Sequence, residues 1–363
     1  MKYNRLFQCL LVFVLCAVSL CAVAMPVRAD AEEIEVIQPE TVDPATCEHE
    51  YGEWVVTQAP TFTAGGRQQK TCSLCGKVTI QPIMPAVAAV EKWNISLVDE
   101  LKVNFHLLIS ESIASTAKVK ISLADDTVTY NVKDMELTDE NLYVVSVELA
   151  AAQMAEDIVV FVMDKGQMGC YASYTIRQYA DAVLADKSLS AYHDIAKEML
   201  NYGAAAQNYF ANGADAPVNE GITGAGMAEI PEQAGTPLSV TGNADGFSFY
   251  AASLSYLEKI AVRFYFRFSG DINAYTFSVN GEKLAPGLKS GLYYVDVTGV
   301  TPEMLDRQIE LTVTDAAGNV LTASYSPLNY IVRMNQKGGQ SLKALLKALY
   351  NYHLAAKAFY AAA

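Results

Sequence analysis

Leu142-Tyr143-Val144-Val145-Ser146-Val147 returns as Leu292-Tyr293-Tyr294-Val295-Asp296-Val297, 150 residues later, and this pair decides the fold. Each copy has the period-2 pattern of a strand with one face in a core. Further along, Asn201-Tyr202 returns as Asn351-Tyr352 at the same offset. Ala172-Ser173-Tyr174 returns as Ala323-Ser324-Tyr325, and Tyr179 as Tyr330, at an offset of 151. One inserted and one deleted residue account for the difference. Upstream, Val103-Asn104-Phe105-His106-Leu107 corresponds to Val262-Arg263-Phe264-Tyr265-Phe266, so a loop there has changed length. Chance does not keep one offset across strands, turns and helices. The sequence therefore predicts a duplication, a tandem pair rather than a solenoid.

Alternating stretches predict strands at Leu101 to Leu107, Val119 to Leu123, Thr127 to Val132, Tyr143 to Val147 and Ile158 to Met163. The second copy offers Ile260 to Phe266, Tyr275 to Val279, Tyr293 to Val297 and Ile309 to Val313. Asn280-Gly281 is a tight hairpin signal, and Asp315 to Gly318 answers Asp164-Lys165-Gly166 as a longer one. Thr301-Pro302-Glu303 reads as a cap with proline in the first turn of a short helical link.

Each copy then closes with two helices. On the last, Tyr192, Ile195, Ala196, Met199, Gly203, Ala206 and Phe210 form one stripe, answered by Leu342, Leu345, Leu346, Leu349, His353, Ala356 and Tyr360. Tyr202, Tyr209, Tyr352 and Phe359 widen one edge, and the expectation is that each helix packs this wide face on its own sheet. The expected fold class is α+β: two tandem copies of an antiparallel β-sandwich-like assembly, each closed by a helix pair, behind a small zinc-ribbon-like module. The expected boundaries are a signal at 1–29, the module at 45–85, repeats at 88–212 and 237–363, and a Gly-, Ala- and Pro-rich linker at 213–236.

The N-terminus has the three parts of a secretory signal. Lys2 and Arg5 precede an apolar run from Leu10 through Ala24, and Val27-Arg28-Ala29 offers a small-x-small cleavage site, with Ala22-Val23-Ala24 as a second; the alternative is an uncleaved membrane anchor, since the run is long for a signal. Cys9, Cys16 and Cys21 lack the preceding small residue of a lipoprotein signal. No later stretch is long and apolar enough to span a bilayer, so a secreted or surface-held protein is expected. The formal charge of −14 becomes −17 once Lys2, Arg5 and Arg28 leave with residues 1–29, which carry no acid. Nucleic acid, which demands a basic surface, is excluded as a partner.

The remaining cysteines are Cys47, Cys72, Cys75 and Cys170. Cys72-Ser73-Leu74-Cys75-Gly76 is a C-x-x-C-G turn whose glycine lets backbone amides point at the thiolates, and Cys47-Glu48-His49 supplies two more donors. Cys47, His49, Cys72 and Cys75 make a closed tetrahedral set for a structural zinc. The alternative is a disulfide from Cys47 to Cys72 or Cys75, which leaves one thiol over. Cys170 is expected as a small buried apolar residue.

The stretch from Cys47 to Pro85 also contains Tyr51, Trp54, Pro60-Thr61, Gly65-Gly66 and Ile83-Met84-Pro85. It resembles the short zinc-ribbon-like modules of secreted surface proteins of anaerobic Gram-positive bacteria, with Phe62 near where a further cysteine can occur. The larger copies resemble uncharacterised domains that accompany such modules and end in an Asn-Tyr-x-x-Ala-Ala helix like Asn201 to Ala206. The resemblance implies no reaction.

No catalytic constellation emerges. Ser115-Thr116-Ala117-Lys118 has S-x-x-K spacing without the companion motifs. Asn243 to Gly246 lacks the acid that closes a calcium loop, and Gly221 to Gly226 has no following lysine for a phosphate loop. His106, His193 and His353 read as structural. The expected function is a non-enzymatic binding or structural array of the cell envelope, with a glycan or protein ligand. The alternatives are a carbohydrate-binding accessory protein using Tyr265 and Phe277, and a hydrolase with an unrecognised carboxylate pair.

Overall fold

The computed structural model describes residues 42–96, 101–210, 216–222, 228–233, 237–256 and 259–362; the expected signal lies outside the described residues. The chain divides into two compact units. Among the described residues, one takes 42–51 together with Cys72–Lys77, and the other takes Gly52–Thr71 and those from Val78 onward.

The larger unit begins with an antiparallel sheet of β1 (Val55–Gln58), β2 (Gly66–Thr71) and β3 (Val78–Ile83), in that order. Gly66 opens β2 where no side chain fits, since a Cβ would lie 2.3 Å from the Gln58 carbonyl oxygen. Next come β4 (Ala88–Ser96), β5 (Lys102–Ile109), the short α1 (Glu111–Ala114), β6 (Lys118–Leu123) and β7 (Asp126–Asn131). They are followed by β8 (Tyr143–Glu148), β9 (Ile158–Asp164), β10 (Gln167–Tyr174), α2 (Ile176–Ala185) and α3 (His193–Phe210). The strands pair antiparallel into sheets of order β4-β5-β8 and β10-β9-β6-β7.

The second half supplies β11 (Ser239–Gly242), β12 (Phe247–Ser255), β13 (Ala261–Phe268), β14 (Thr276–Val279) and β15 (Glu282–Leu284). After these come β16 (Gly287–Lys289), β17 (Leu292–Val297), β18 (Ile309–Thr314), β19 (Val320–Tyr325), α4 (Pro327–Lys337) and α5 (Gln340–Ala362). Its sheets run β12-β13-β17-β16 and β11-β19-β18-β14-β15. The protein is thus β-rich, with several antiparallel sheets, and it ends in a helix pair.

Strict alternation shapes the central strands. In β5 the side chains of Val103, Phe105, Leu107 and Ile109 are buried, and in β9 those of Ile158, Val160 and Val162 are. The same register recurs at the sequence offsets. Val103 pairs with Ile95 and Val147, and Val262 pairs with Leu254 and Val297. Ile158 faces Tyr174 as Ile309 faces Tyr325. β4 and β12 were not expected as strands. Each carries a register shift, between Val90 and Lys92 and between Phe249 and Ala251, which breaks the alternation a sequence scan reads. The tight hairpin is formed as expected, with Asn280 and Gly281 both at positive φ between the paired Val279 and Glu282.

Helix starts are set locally. Thr175 and Gln178 form a reciprocal capping box for α2, and Pro327 occupies the first turn of α4. Thr301 departs from expectation. The turn Pro302–Met304 is helical, but the Thr301 hydroxyl makes no cap bond and is buried without a partner.

The aromatic edge of the final helices also departs from expectation. It does not lie on each helix's own sheet. Tyr202 stacks on Tyr352 with ring centroids 6.0 Å apart, and Tyr192 meets Phe359 at 5.0 Å, so α3 and α5 pack on each other. Aromatic pairs at such offset and tilted geometry attract beyond the area they bury, which favours ring against ring. Nor do the described parts of 213–236 behave as a free linker. The Val218 amide donates to Gln207 Oε1 at 2.9 Å, and Asn219 donates to Asn201 Oδ1 at 2.9 Å. Farther on, the Ala228 amide donates to Asn351 Oδ1 at 2.8 Å while Asn351 Nδ2 donates to the Ala228 carbonyl at 3.1 Å. A side-chain amide has both a donor and an acceptor, as a peptide group does, so Asn351 holds the Ala228 backbone as a strand neighbour would, while Asn201 holds the segment through the Asn219 side chain.

Candidate functional site

Cys47, His49, Cys72 and Cys75 come together in the smaller unit, with their donor atoms all within 4.8 Å of one another. The approach is built by the backbone. Tyr51 bridges Cys72 in antiparallel fashion, and the Ser73 amide donates to the Glu50 carbonyl at 2.8 Å. Cys72 to Gly76 turns tightly, with the Gly76 amide on the Cys72 carbonyl at 3.0 Å and Gly76 at φ +72°. Only glycine takes that conformation cheaply.

Cys47 Sγ and Cys72 Sγ are 3.8 Å apart, and Cys75 Sγ lies 3.3 Å from His49 Nδ1. Two sulfurs bound to one tetrahedral ion at about 2.3 Å sit about 3.8 Å apart, and a sulfur and an imidazole nitrogen about 3.6 Å apart. The residues therefore fit a metal ion, with Nδ1 as the ring nitrogen of the donor set. Nε2 lies 3.2 Å from Lys77 Nζ. All four described cysteines are free thiols.

The sulfurs differ in acidity. Burial pushes the Cys72 thiol up, but hydrogen bonds from the Cys75 and Leu74 amides and from His49 outweigh it and bring it down to about 6. Burial, with the Cys75 and Cys72 sulfurs beside it, pushes Cys47 up to about 12. A bound cation would hold all three sulfurs as thiolates.

The other expected residues are scattered. His106 sits 3.2 Å from Asn94 Nδ2 on the outer side of its strand. His193 Nε2 lies 3.0 Å from the Val183 carbonyl, and the buried His353 donates from Nδ1 to the Pro302 carbonyl at 2.6 Å. Asp315 is a turn staple, accepting from the Asp245, Ala317 and Asn319 amides; the Asp245 bond leads in holding its carboxyl down at about 2. Ser115 caps α1 and Lys118 begins β6, so the S-x-x-K spacing places no nucleophile on a helix.

The aromatic pair expected for glycan binding is split. Phe277 is fully buried, against Phe247 and Phe266, and has no face to offer. Tyr265 lies beside Tyr294 with centroids 6.3 Å apart, and the Arg263 guanidinium sits 3.9 Å over the Tyr294 ring. Asp296 holds that guanidinium through two bonds of 2.6 Å. Gly287 makes room opposite, where a Cβ would meet the Tyr294 ring at 2.5 Å.

Sequence reasoning missed one feature entirely, a cleft of about 600 Å³ where the two halves meet. It is lined by the β6–β7 hairpin, by the chain from Val147 to Met154, and by Tyr256, Lys259 and Ile260. Tyr202 and Tyr352 also line it. Its carboxylates are Asp126 and Glu148, and Glu148 is ion-paired with Lys102 at 3.2 Å and Lys259 at 2.8 Å. No single stretch of sequence signals this cleft, because its walls come from segments more than 100 residues apart.

No helix among the described residues is long and apolar enough to cross a membrane. No protein-family model matches the chain, and no curated protein matches it. Among solved structures, an "I-band fragment I67-I69 from titin" overlaps 75% of this chain and 81% of that one at 7% identity, with a TM-score of 0.19, which is too low for a shared fold.

Proposed function

We propose that the chain is exported and works outside the cell as a non-enzymatic binding array of the envelope, with its cysteine module stapled by one structural zinc. The observation that carries this reading is the closure of the donor set: three sulfurs and one imidazole nitrogen within 4.8 Å of one another fill a tetrahedral ion and leave no position for water. A catalytic metal needs such a position. Among the described residues, the smaller unit contributes only Cys72 to the buried apolar set, so a metal would supply cohesion that their packing does not.

The two halves are proposed to be copies of one domain. The matching registers of β5 with β8 and of β13 with β17, and the bulges at Glu91 and Tyr250, support this reading. Resemblance of the module to those of secreted Gram-positive surface proteins supports export, as do Lys2, Arg5 and the apolar run behind them. A glycan ligand is the second reading, favoured by the Tyr294 ring held rigidly beneath Arg263.

Native mass spectrometry of the mature chain tests the metal. One zinc with three unmodified thiols at Cys47, Cys72 and Cys75 is expected, with the metal lost in Cys72→Ser. A Cys47 disulfide without metal would overturn it. Binding of the full mature chain to isolated cell walls and a glycan panel tests the rest; hydrolysis of any of them would overturn the non-enzymatic reading.

A further inference from the structure

The cleft between the halves holds two tyrosines in an unusual state. Tyr202 is 3% exposed and Tyr352 is 4% exposed, yet both line the space. Neither hydroxyl has a hydrogen-bond partner among the described residues. Among the described residues, the side-chain atoms sealed away without a partner are Asp164 Oδ1, Thr301 Oγ1 and Tyr325 Oη. The Tyr202 and Tyr352 hydroxyls are not among them, so they keep contact with the cleft. Burial alone raises Tyr202, and it leads in raising Tyr352, so both phenols stay protonated and able to donate. Each hydroxyl is therefore a donor aimed at the cleft that no other residue uses, and an accepting oxygen on a ligand would take up that bond in place of water.

We infer that this cleft binds a small, uncharged amphiphile: an apolar body carrying a hydrogen-bond-accepting oxygen, such as a ketone, hydroxyl or phenol. Its volume of about 600 Å³ suits such a molecule. Leu101, Ile121, Leu123, Val147, Leu149 and Ile260 give apolar walls for the body. Three charged residues line the cleft: Asp126 is exposed, and Glu148 and Lys259 keep 48% and 40% of their side chains exposed and pair with each other. The tyrosines are almost fully buried, so a charged ligand group seated against them would lose its water, which favours a neutral head. One phenol comes from each half, on helices whose residues match at an offset of 150, so neither half holds the site alone. This site goes beyond the zinc reading and is independent of it.

The neutral ketone dye prodan tests the inference with the full mature chain. Saturable binding of one dye per chain with blue-shifted emission is expected. Tyr202→Phe and Tyr352→Phe should each weaken it roughly 3- to 10-fold while leaving Tm unchanged or higher, because each removes an unpartnered hydroxyl. Ala151→Phe, which fills the cleft, should abolish binding. The anionic dye anilinonaphthalene sulfonate should bind more weakly than prodan. Absence of saturable binding, phenylalanine variants of unchanged affinity, or tighter binding of the anionic dye would each overturn the inference. So would phenylalanine variants that lose affinity and stability together, which would assign the hydroxyls to packing. Metal content reports on the zinc separately and does not enter these readouts.

Discussion

Leu349→Ala should destabilise both halves of the protein, not just the one that contains it. Leu349 is completely buried in α5. Truncation removes three carbons, worth about 0.8 kcal/mol each, or roughly 2.4 kcal/mol of transfer energy. Incomplete collapse of the cavity adds to this, for a total on the order of 2–5 kcal/mol. α5 packs on α3 through the Tyr202–Tyr352 stack and the Tyr192–Phe359 contact, so the loss should reach the first half. The assay uses the two tryptophans. Trp54→Phe leaves Trp93 as sole reporter, and Trp93 sits in the first half against Phe105 and Tyr174. With a urea slope of about 3 kcal/mol/M, the midpoint read by Trp93 should fall by about 1 M when Leu349 is replaced. Far-ultraviolet circular dichroism, which reads both halves, should move with it. If the dichroism transition shifted while the Trp93 midpoint stayed fixed, the helix interface would not couple the halves and the reasoning would be wrong.

Two further outcomes follow from local geometry. Gly203→Ala should lower stability by about 1–3 kcal/mol despite the helix propensity it gains, because the new Cβ meets Met154 Sδ at 2.6 Å and Val218 Cγ1 at 3.0 Å; a urea midpoint at or above that of the parent would contradict this. Asp315, held at about 2 in the fold, titrates near 3.9 unfolded, so the unfolded chain binds more protons between those values and the stability it lends, full above about pH 4, is lost as pH falls toward 2. Asp315→Asn should flatten the fall of Tm across that window, and an unchanged slope would argue against the staple.

Much of the architecture was legible because it is local and periodic. The alternation of Val103, Phe105 and Leu107 needs no partner strand to be read, and neither does the Asn280-Gly281 turn or the helical stripe through Leu345, Leu346 and Leu349. The metal donors were legible for a similar reason: C-x-x-C-G builds its own turn, and Cys47-Glu48-His49 is the other group of donors within reach. β4 and β12 were not, because a bulge puts two residues opposite one and erases the period.

Sequence alone thus determined the regularly alternating strands, the closing helices, the internal offsets and the candidate metal ligands, since each depends on residues near one another in the chain or on a pattern repeated along it. Tertiary structure alone decided where the aromatic edges go. Tyr202 and Tyr352 satisfy the same apolar pattern whether they face a sheet or each other, and only the packing of α3 on α5 chooses. It likewise made the cleft, whose apolar walls and tyrosine hydroxyls belong to distant segments that become neighbours only when the two halves close on one another.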